Sequence, residues 1–192
     1  LDQPQTNFSE LQENSYMTSQ KQDERPWKQR NRPYIYAVVL ALILTMFVAP
    51  EIQESNSMSP TIQKGTLVVI KKDTYSVKRG IPELGSVVIL AKDAATELSK
   101  DNMIARVVGL PGETITIKDG KFYRDNKEYK VKESTGDLGE DMTVQLASDE
   151  VFLLCDNRDV IMDSRSSKLG PVNMKKIRGK VLLGIWPFSE FG

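Results

Sequence analysis

The chain has 192 residues, a length that favours one domain with a short appendage. Its 26 Lys and Arg residues balance its 26 Asp and Glu residues, and this zero net charge argues against nucleic acid as a partner. The sequence has no histidine and one cysteine, Cys155, which excludes an internal disulfide and excludes histidine as metal ligand, general base or pH switch. We therefore expect no metal and no cofactor, and any serine chemistry must work without a Ser-His pair.

Residues 1–33 are polar and have no apolar periodicity with which to bury a face, so we predict a disordered segment. An uncharged apolar run follows at 34–49. It is shorter than the roughly 20 residues that cross a bilayer, but the prolines at its two ends, Pro33 and Pro50, extend it to the interfaces. A buried core helix is the alternative interpretation.

Basic residues on one side only, with Tyr34 and Tyr36 as interfacial anchors, favour a single transmembrane helix over residues 34–50. No A-x-A type cleavage site follows the run, which argues against a cleaved signal peptide. The positive-inside rule then places residues 1–33 in the cytoplasm and residues 51–192 outside the cell membrane.

Residues 51–192 predict a small antiparallel β-domain, so the fold class is mainly β. Short segments rich in Val, Ile and Leu are separated by Gly, Pro, Asp and Asn. We predict strands at 66–71, 86–91, 103–108, 114–118, 121–123, 142–146, 151–154 and 177–185. Asp119-Gly120 lies between two of these strands and predicts a two-residue hairpin turn.

The stretch Ser57-Met58-Ser59-Pro60-Thr61 is hard to explain as core packing, because its hydroxyls and its proline suit a buried strand poorly. Taken alone, it is typical of a Ser/Pro-rich linker. Its place after the apolar run, together with the motifs downstream, makes Ser57 a candidate nucleophile. The long irregular segment 156–173 carries two of those motifs, and a loop of that length in a compact domain favours function.

Three motifs make the chain resemble the bacterial type I signal peptidase family. Residues 57–61 (SMSPT) are similar to its nucleophile box, residues 106–113 (RVVGLPGE) to its second catalytic box, and 156–158 (DNR) with 163–165 (DSR) to its final box. The resemblance extends from Tyr34 to the C-terminus. It implies a mostly β fold, membrane lipid as surroundings, and signal peptides of exported preproteins as partners, cut at the outer membrane face.

The family mechanism is a serine-lysine dyad, in which burial lowers the pKa of a lysine until it serves as base. The resemblance places that lysine at Ala105, which carries no proton acceptor. Cys155 and Ile161 also depart from the family pattern: they stand where a glycine leaves room for the lysine and where a serine orients its ammonium.

The resemblance gives the other site residues their roles. Ser57 would be the nucleophile, its backbone N–H half of the oxyanion hole and the Ser55 hydroxyl the other half. Met58 would line the groove in which an extended substrate adds as a strand. Four residues would support the site through ion pairs: Arg106, Asp156, Asp163 and Arg165.

Two functions compete. One is a pseudoenzyme that keeps the signal-peptide groove as a binding or assembly factor; family homologues lacking catalytic residues include some associated with secretion and pilus assembly. The other is an active membrane serine endopeptidase that uses another base, such as Lys72 or Lys92. An unrelated anchored β-domain and an altered copy of an active enzyme are further alternatives.

Overall fold

The computed structural model describes residues 26–72, 75, 78–91, 102–131 and 134–186. The chain divides into two compact units, Leu1–Leu44 and Thr45–Gly192. Most of the predicted disordered segment, residues 1–25, lies outside the described residues, as does Lys92.

Helix α1 spans Trp27–Phe47, with Pro33 inside it. The predicted helix at residues 34–50 extends beyond the helix in the structure, because residues 48–50 belong to strand β1. Their backbone pairs with β2, Val48 opposite Lys71 and Pro50 opposite Val69, so ladder hydrogen bonds end the helix. In the described part of the chain, no helix combines the length and the apolar character that crossing a membrane requires.

The rest of the described chain is mainly antiparallel β-structure. The strands are β1 Val48–Ile52, β2 Leu67–Lys72, β3 Val87–Leu90, β4 Met103–Gly109, β5 Thr114–Lys118, β6 Lys121–Arg124, β7 Lys127–Glu128, β8 Met142–Gln145, β9 Glu150–Leu154, β10 Val172–Asn173 and β11 Ile177–Trp186, with a 3-10 helix at Met174–Lys176. The mainly β prediction is confirmed. The sequence missed β1, which the apolar run concealed, and β7 and β10, which are too short to show alternation.

Seven strands form one sheet in the order β1-β2-β11-β3-β4-β9-β10. Strand β11, the last in the chain, lies between β2 and β3 and is bulged opposite β2. Gly179 allows this close pairing, because a Cβ there would collide with the backbone oxygen of Lys71 and approach Ile70 Cγ2 to 2.7 Å.

The other four strands form a second sheet in the order β7-β6-β5-β8. The predicted hairpin is confirmed: β5 pairs with β6 through a turn in which Asp119 has φ 50° and Gly120 has φ 69°. Positive φ at both turn residues matches the strand twist, which explains the Asp-Gly pair.

Strand β4 contributes to three buried apolar clusters because successive side chains point to opposite faces of the sheet. Ala105 packs in the first cluster, Ile104 packs with Met58 in the second, and Val108 packs with Phe152 in the third. All seven residues of β4 are buried. The strand therefore places the position predicted for the base in the apolar interior.

Candidate active site

Ser57 lies in the turn that follows β1, and it is 1% exposed. The Asn157 N–H donates to the Ser57 carbonyl oxygen at 2.9 Å, and the Asn157 side chain donates to the Asn56 carbonyl oxygen at 3.3 Å. Next to Ser57, the side chain of Met58 is fully buried. The segments similar to the nucleophile box and the final box therefore meet, although Asn56 and Asn157 are 101 residues apart in sequence.

The Ser57 hydroxyl oxygen accepts two hydrogen bonds. Gln53 Nε2 donates to Ser57 Oγ at 3.1 Å, and Ser55 Oγ donates to it at 2.8 Å. The Gln53 amide also donates to the Ser55 carbonyl oxygen at 3.0 Å and to Ser55 Oγ at 3.3 Å. Since a hydroxyl oxygen has two lone pairs, the contacts with Gln53 and Ser55 use both.

Each of the two predicted oxyanion-hole donors, the Ser57 N–H and the Ser55 hydroxyl, donates a hydrogen bond to the hydroxyl oxygen of the other residue. The Ser57 N–H donates to Ser55 Oγ at 3.3 Å, and the Ser55 hydroxyl donates to Ser57 Oγ. In this arrangement both predicted donors take part in one small hydrogen-bond network.

The hydrogen bonds that Ser57 Oγ accepts in the described part of the chain come from an amide and a hydroxyl, neither of which is a general base. Ala105 is fully buried among apolar residues that include Val88 and Leu153. Lys72, one alternative base, is exposed and donates to the Thr45 carbonyl oxygen at 2.8 Å.

Arg106 and Asp156 form a bidentate ion pair in the interior. Arg106 Nε donates to Asp156 Oδ1 at 2.8 Å and Nη2 donates to Oδ2 at 2.6 Å. Asp156 is fully buried, and the Thr61 hydroxyl donates to its Oδ2 at 2.6 Å. Arg106 also donates to the Gly85 carbonyl oxygen at 2.7 Å. The pair thus joins β4 and the final box to the turn that carries Ser57.

Asp163 and Arg165 form the second ion pair, with Arg165 Nε 3.0 Å from Asp163 Oδ1. Asp163 is fully buried and accepts the Cys155 N–H at 2.9 Å. Arg165 also donates to four backbone carbonyl oxygens, including those of Arg158 and Leu138. These bonds fix the path of the irregular final segment.

The two other departures from the family pattern have different surroundings. Cys155 is fully buried, its Sγ donates to the Met162 carbonyl oxygen at 3.3 Å, and burial raises the pKa of the thiol to about 12. Ile161 is 57% exposed, whereas Met162 packs against the cluster that holds Ala105. The exposed Ile161 side chain is not a member of that cluster.

Sequence reasoning missed Gln53. It is 1% exposed, although glutamine usually lies at the surface. No strand periodicity could have indicated it, because β1 ends at Ile52 and residues 55–57 form a bend and a turn. Thr61 and Asn157, which bind Asp156 and the Ser57 backbone, were also missed, because their partners are distant in sequence.

The family model described as "Signal peptidase, peptidase S26" matches residues 27–186. The chain belongs to this family. The signal peptidase I of Bacillus caldolyticus is 31% identical over 192 aligned residues, covering 91% of this chain and 98% of the relative. The signal peptidase I of Bacillus licheniformis is 32% identical over 171 residues, covering 81% and 87%.

Among solved structures, the chain is similar to a signal peptidase I from Enterococcus faecalis V583, with a TM-score of 0.44 and 21% identity, covering 53% of this chain and 96% of that one. The family match and the Bacillus relatives make this chain a signal peptidase I homologue.

Proposed function

We propose that this signal peptidase I homologue binds the cleavage region of signal peptides on exported preproteins and does not cut it. The observation that carries the proposal is the bonding of Ser57 Oγ, which accepts from Gln53 and Ser55. A serine attacks a carbonyl only after a base takes its proton, and neither an amide nor a hydroxyl is such a base. The missing lysine at Ala105 agrees with the same conclusion.

The scaffold for recognition supports a binding role. Arg106, Asp156, Asp163 and Arg165 hold the boxes together, and Met58 lies beside Ile104 of β4 in one apolar cluster. We propose that an extended peptide pairs with the backbone of β4 near Ala105, over the apolar cluster in which Met58 is buried. A pseudoenzyme of this kind needs the binding scaffold but not the base, because peptide binding, unlike hydrolysis, involves no proton transfer.

A cleavage assay tests the absence of hydrolysis. A preprotein is incubated with the wild type, with Ser57→Ala, and with the Bacillus caldolyticus signal peptidase I as positive control. We expect the wild type and Ser57→Ala to release mature protein at the same background rate. Cleavage by the wild type that Ser57→Ala abolishes would instead establish an active endopeptidase with another base.

A hydrogen-exchange experiment tests the binding role. The ligand is a cleavage-region peptide with small residues at the first and third positions before the cut site. At saturating peptide we expect slower exchange of the backbone amides in β4, and unchanged exchange in the β5–β6 hairpin, which serves as an internal control. Unchanged exchange in β4 would contradict the proposal.

We also propose that α1 attaches the domain to the cell membrane, with residues 51–192 on the outer side. Its large apolar side chains from Tyr34 to Phe47 are exposed, and basic residues precede them. In intact cells, a membrane-impermeant maleimide should label a Lys127→Cys variant, since Lys127 is exposed and Cys155 is buried. Labelling only after permeabilisation would exclude the outer placement.

A further inference from the structure

The Ser57 hydroxyl has one hydrogen-bonding capacity left, its own proton. Both lone pairs of Oγ accept, from Gln53 Nε2 and from the Ser55 hydroxyl. In the described part of the chain, no hydrogen bond donated by Ser57 Oγ is present. The Ser57 hydroxyl can therefore donate one further hydrogen bond.

The direction of these bonds is fixed by Gln53. Its Nε2 lies 3.0 Å from the Ser55 carbonyl oxygen, 3.1 Å from Ser57 Oγ and 3.3 Å from Ser55 Oγ, so its two protons are shared among three acceptors. Ser55 Oγ accepts from Gln53 and from the Ser57 N–H, so its own proton is left for Ser57 Oγ. A reversed bond, with Ser57 donating to Ser55, would add a third donor to Ser55 Oγ.

We infer that the Ser57 O–H donates to one backbone carbonyl oxygen of the bound signal-peptide segment, and that Gln53 is the residue that sets this direction. The inference rests on the proposed function and names the contact by which the site recognises its ligand. A chain in which Ser55 donates to Ser57 and Ser57 donates onward is cooperative, which strengthens the last bond. Because Ser57 is almost fully buried, an acceptor as small as a single carbonyl oxygen suits it.

The experiment compares two peptides that differ in one atom. One is the cleavage-region peptide, and the other carries a thioamide in place of the carbonyl before the cut site, because sulfur is a much weaker acceptor than oxygen. Dissociation constants are measured by fluorescence anisotropy for the wild type, Ser57→Ala and Gln53→Met. Thr143→Val serves as matched control, since it removes one hydroxyl that only contacts Thr116 on an exposed face, at 3.2 Å.

We expect the wild type and Thr143→Val to bind the oxygen peptide about three- to tenfold more tightly than the thioamide, the ratio for one net hydrogen bond. Ser57→Ala should bind both peptides equally. Gln53→Met, which fills the same space without a donor, should give a ratio of dissociation constants between those of the wild type and Ser57→Ala. A loss of affinity from altered packing alone would lower binding of both peptides and leave the ratio unchanged.

The outcomes separate the inference from the proposed function. If the wild type binds neither peptide, the proposed function fails and the inference fails with it. If the wild type binds both peptides equally, or if Ser57→Ala keeps the ratio, the inference alone is overturned. If Gln53→Met keeps the full wild-type ratio, the directing role of Gln53 is overturned.

Discussion

Two regions of this molecule, the buried ion pairs and the surroundings of Ser57, differ in their buried charged groups. The supporting region keeps both of its buried ion pairs, Arg106 with Asp156 and Asp163 with Arg165. The region around Ser57 has no such ion pair in the described residues, and Ala105, where the family resemblance predicts the base, lies in an apolar cluster. A buried charge that loses its partner is costly, so the members of an ion pair are not lost singly. An alanine in place of a lysine leaves no buried charge without a partner. Replacing a base that serves only catalysis therefore costs little free energy of folding.

The largest expected effect is on the supporting region. Asp156→Asn should lower the free energy of unfolding by about 3 to 5 kcal/mol, because it leaves the guanidinium of Arg106 buried without its counter-charge. Urea denaturation measures the change. The control is Glu128→Gln, which removes the exposed contacts with Lys121 and Lys130 at 3.9 and 3.8 Å and should cost less than about 1 kcal/mol. Equal losses of unfolding free energy in Asp156→Asn and Glu128→Gln would mean that the buried ion pair contributes no more than the exposed one.

The next effect concerns rebuilding the base. Ala105→Lys alone should give no cleavage and should lower stability by about 1 to 3 kcal/mol, because the new side chain overpacks the apolar cluster that holds Ala105, against which Met162 packs. Ala105→Lys with Cys155→Gly and Ile161→Ser should cleave a preprotein about 100-fold faster than the single variant, since groups that act as a unit are not additive.

The contribution of each added change in that variant follows from burial. Cys155→Gly should matter most because Cys155 is buried, and Ile161→Ser should add least because Ile161 is largely exposed. Ser57→Ala in the same background should abolish the gain. If Ala105→Lys alone reached the rate of the triple variant, the apolar cluster would be no obstacle, and only the base would be missing.

The smallest effect is on pH dependence near Cys155. Burial, and then the Asp163 carboxylate, raise the pKa of the thiol from its ordinary 9.0 to about 12. The unfolded chain therefore releases this proton near pH 9 while the folded chain keeps it, so stability falls as the pH rises from 9 towards 12. Burial lowers the pKa of Arg158 to about 10, which acts in the opposite direction above that pH.

The range from pH 9 to 10 isolates the thiol. Over this range the wild type should lose about 1 kcal/mol of unfolding free energy relative to Cys155→Ala, because one thiol proton separates the two states. Urea denaturation at both pH values measures the difference between the two proteins, in which other titrations cancel. Parallel pH dependence would mean that the thiol titrates alike in the folded and unfolded chains.

Local chemistry determined what the sequence predicted well. The Asp119-Gly120 hairpin was predicted because two neighbouring residues with positive φ suffice to define the turn. Most strands were predicted because alternation and β-branched residues are local signals. The absence of a lysine at Ala105 was visible once the boxes were aligned, since it depends on one residue's identity alone.

Only the tertiary structure decided which groups meet. It placed β11 between β2 and β3, ended α1 at Phe47 by pairing β1 with β2, and left Ile161 exposed. It also placed the Gln53 amide within hydrogen-bond distance of Ser57 Oγ, in a turn whose Ser57 carbonyl oxygen accepts from the Asn157 N–H. The sequence determined that the serine is present and the lysine is not. The hydrogen-bond partners of the Ser57 hydroxyl, Gln53 and Ser55, are near it in sequence, but the turn that brings them together also bonds the distant Asn157 backbone, which no local pattern encodes.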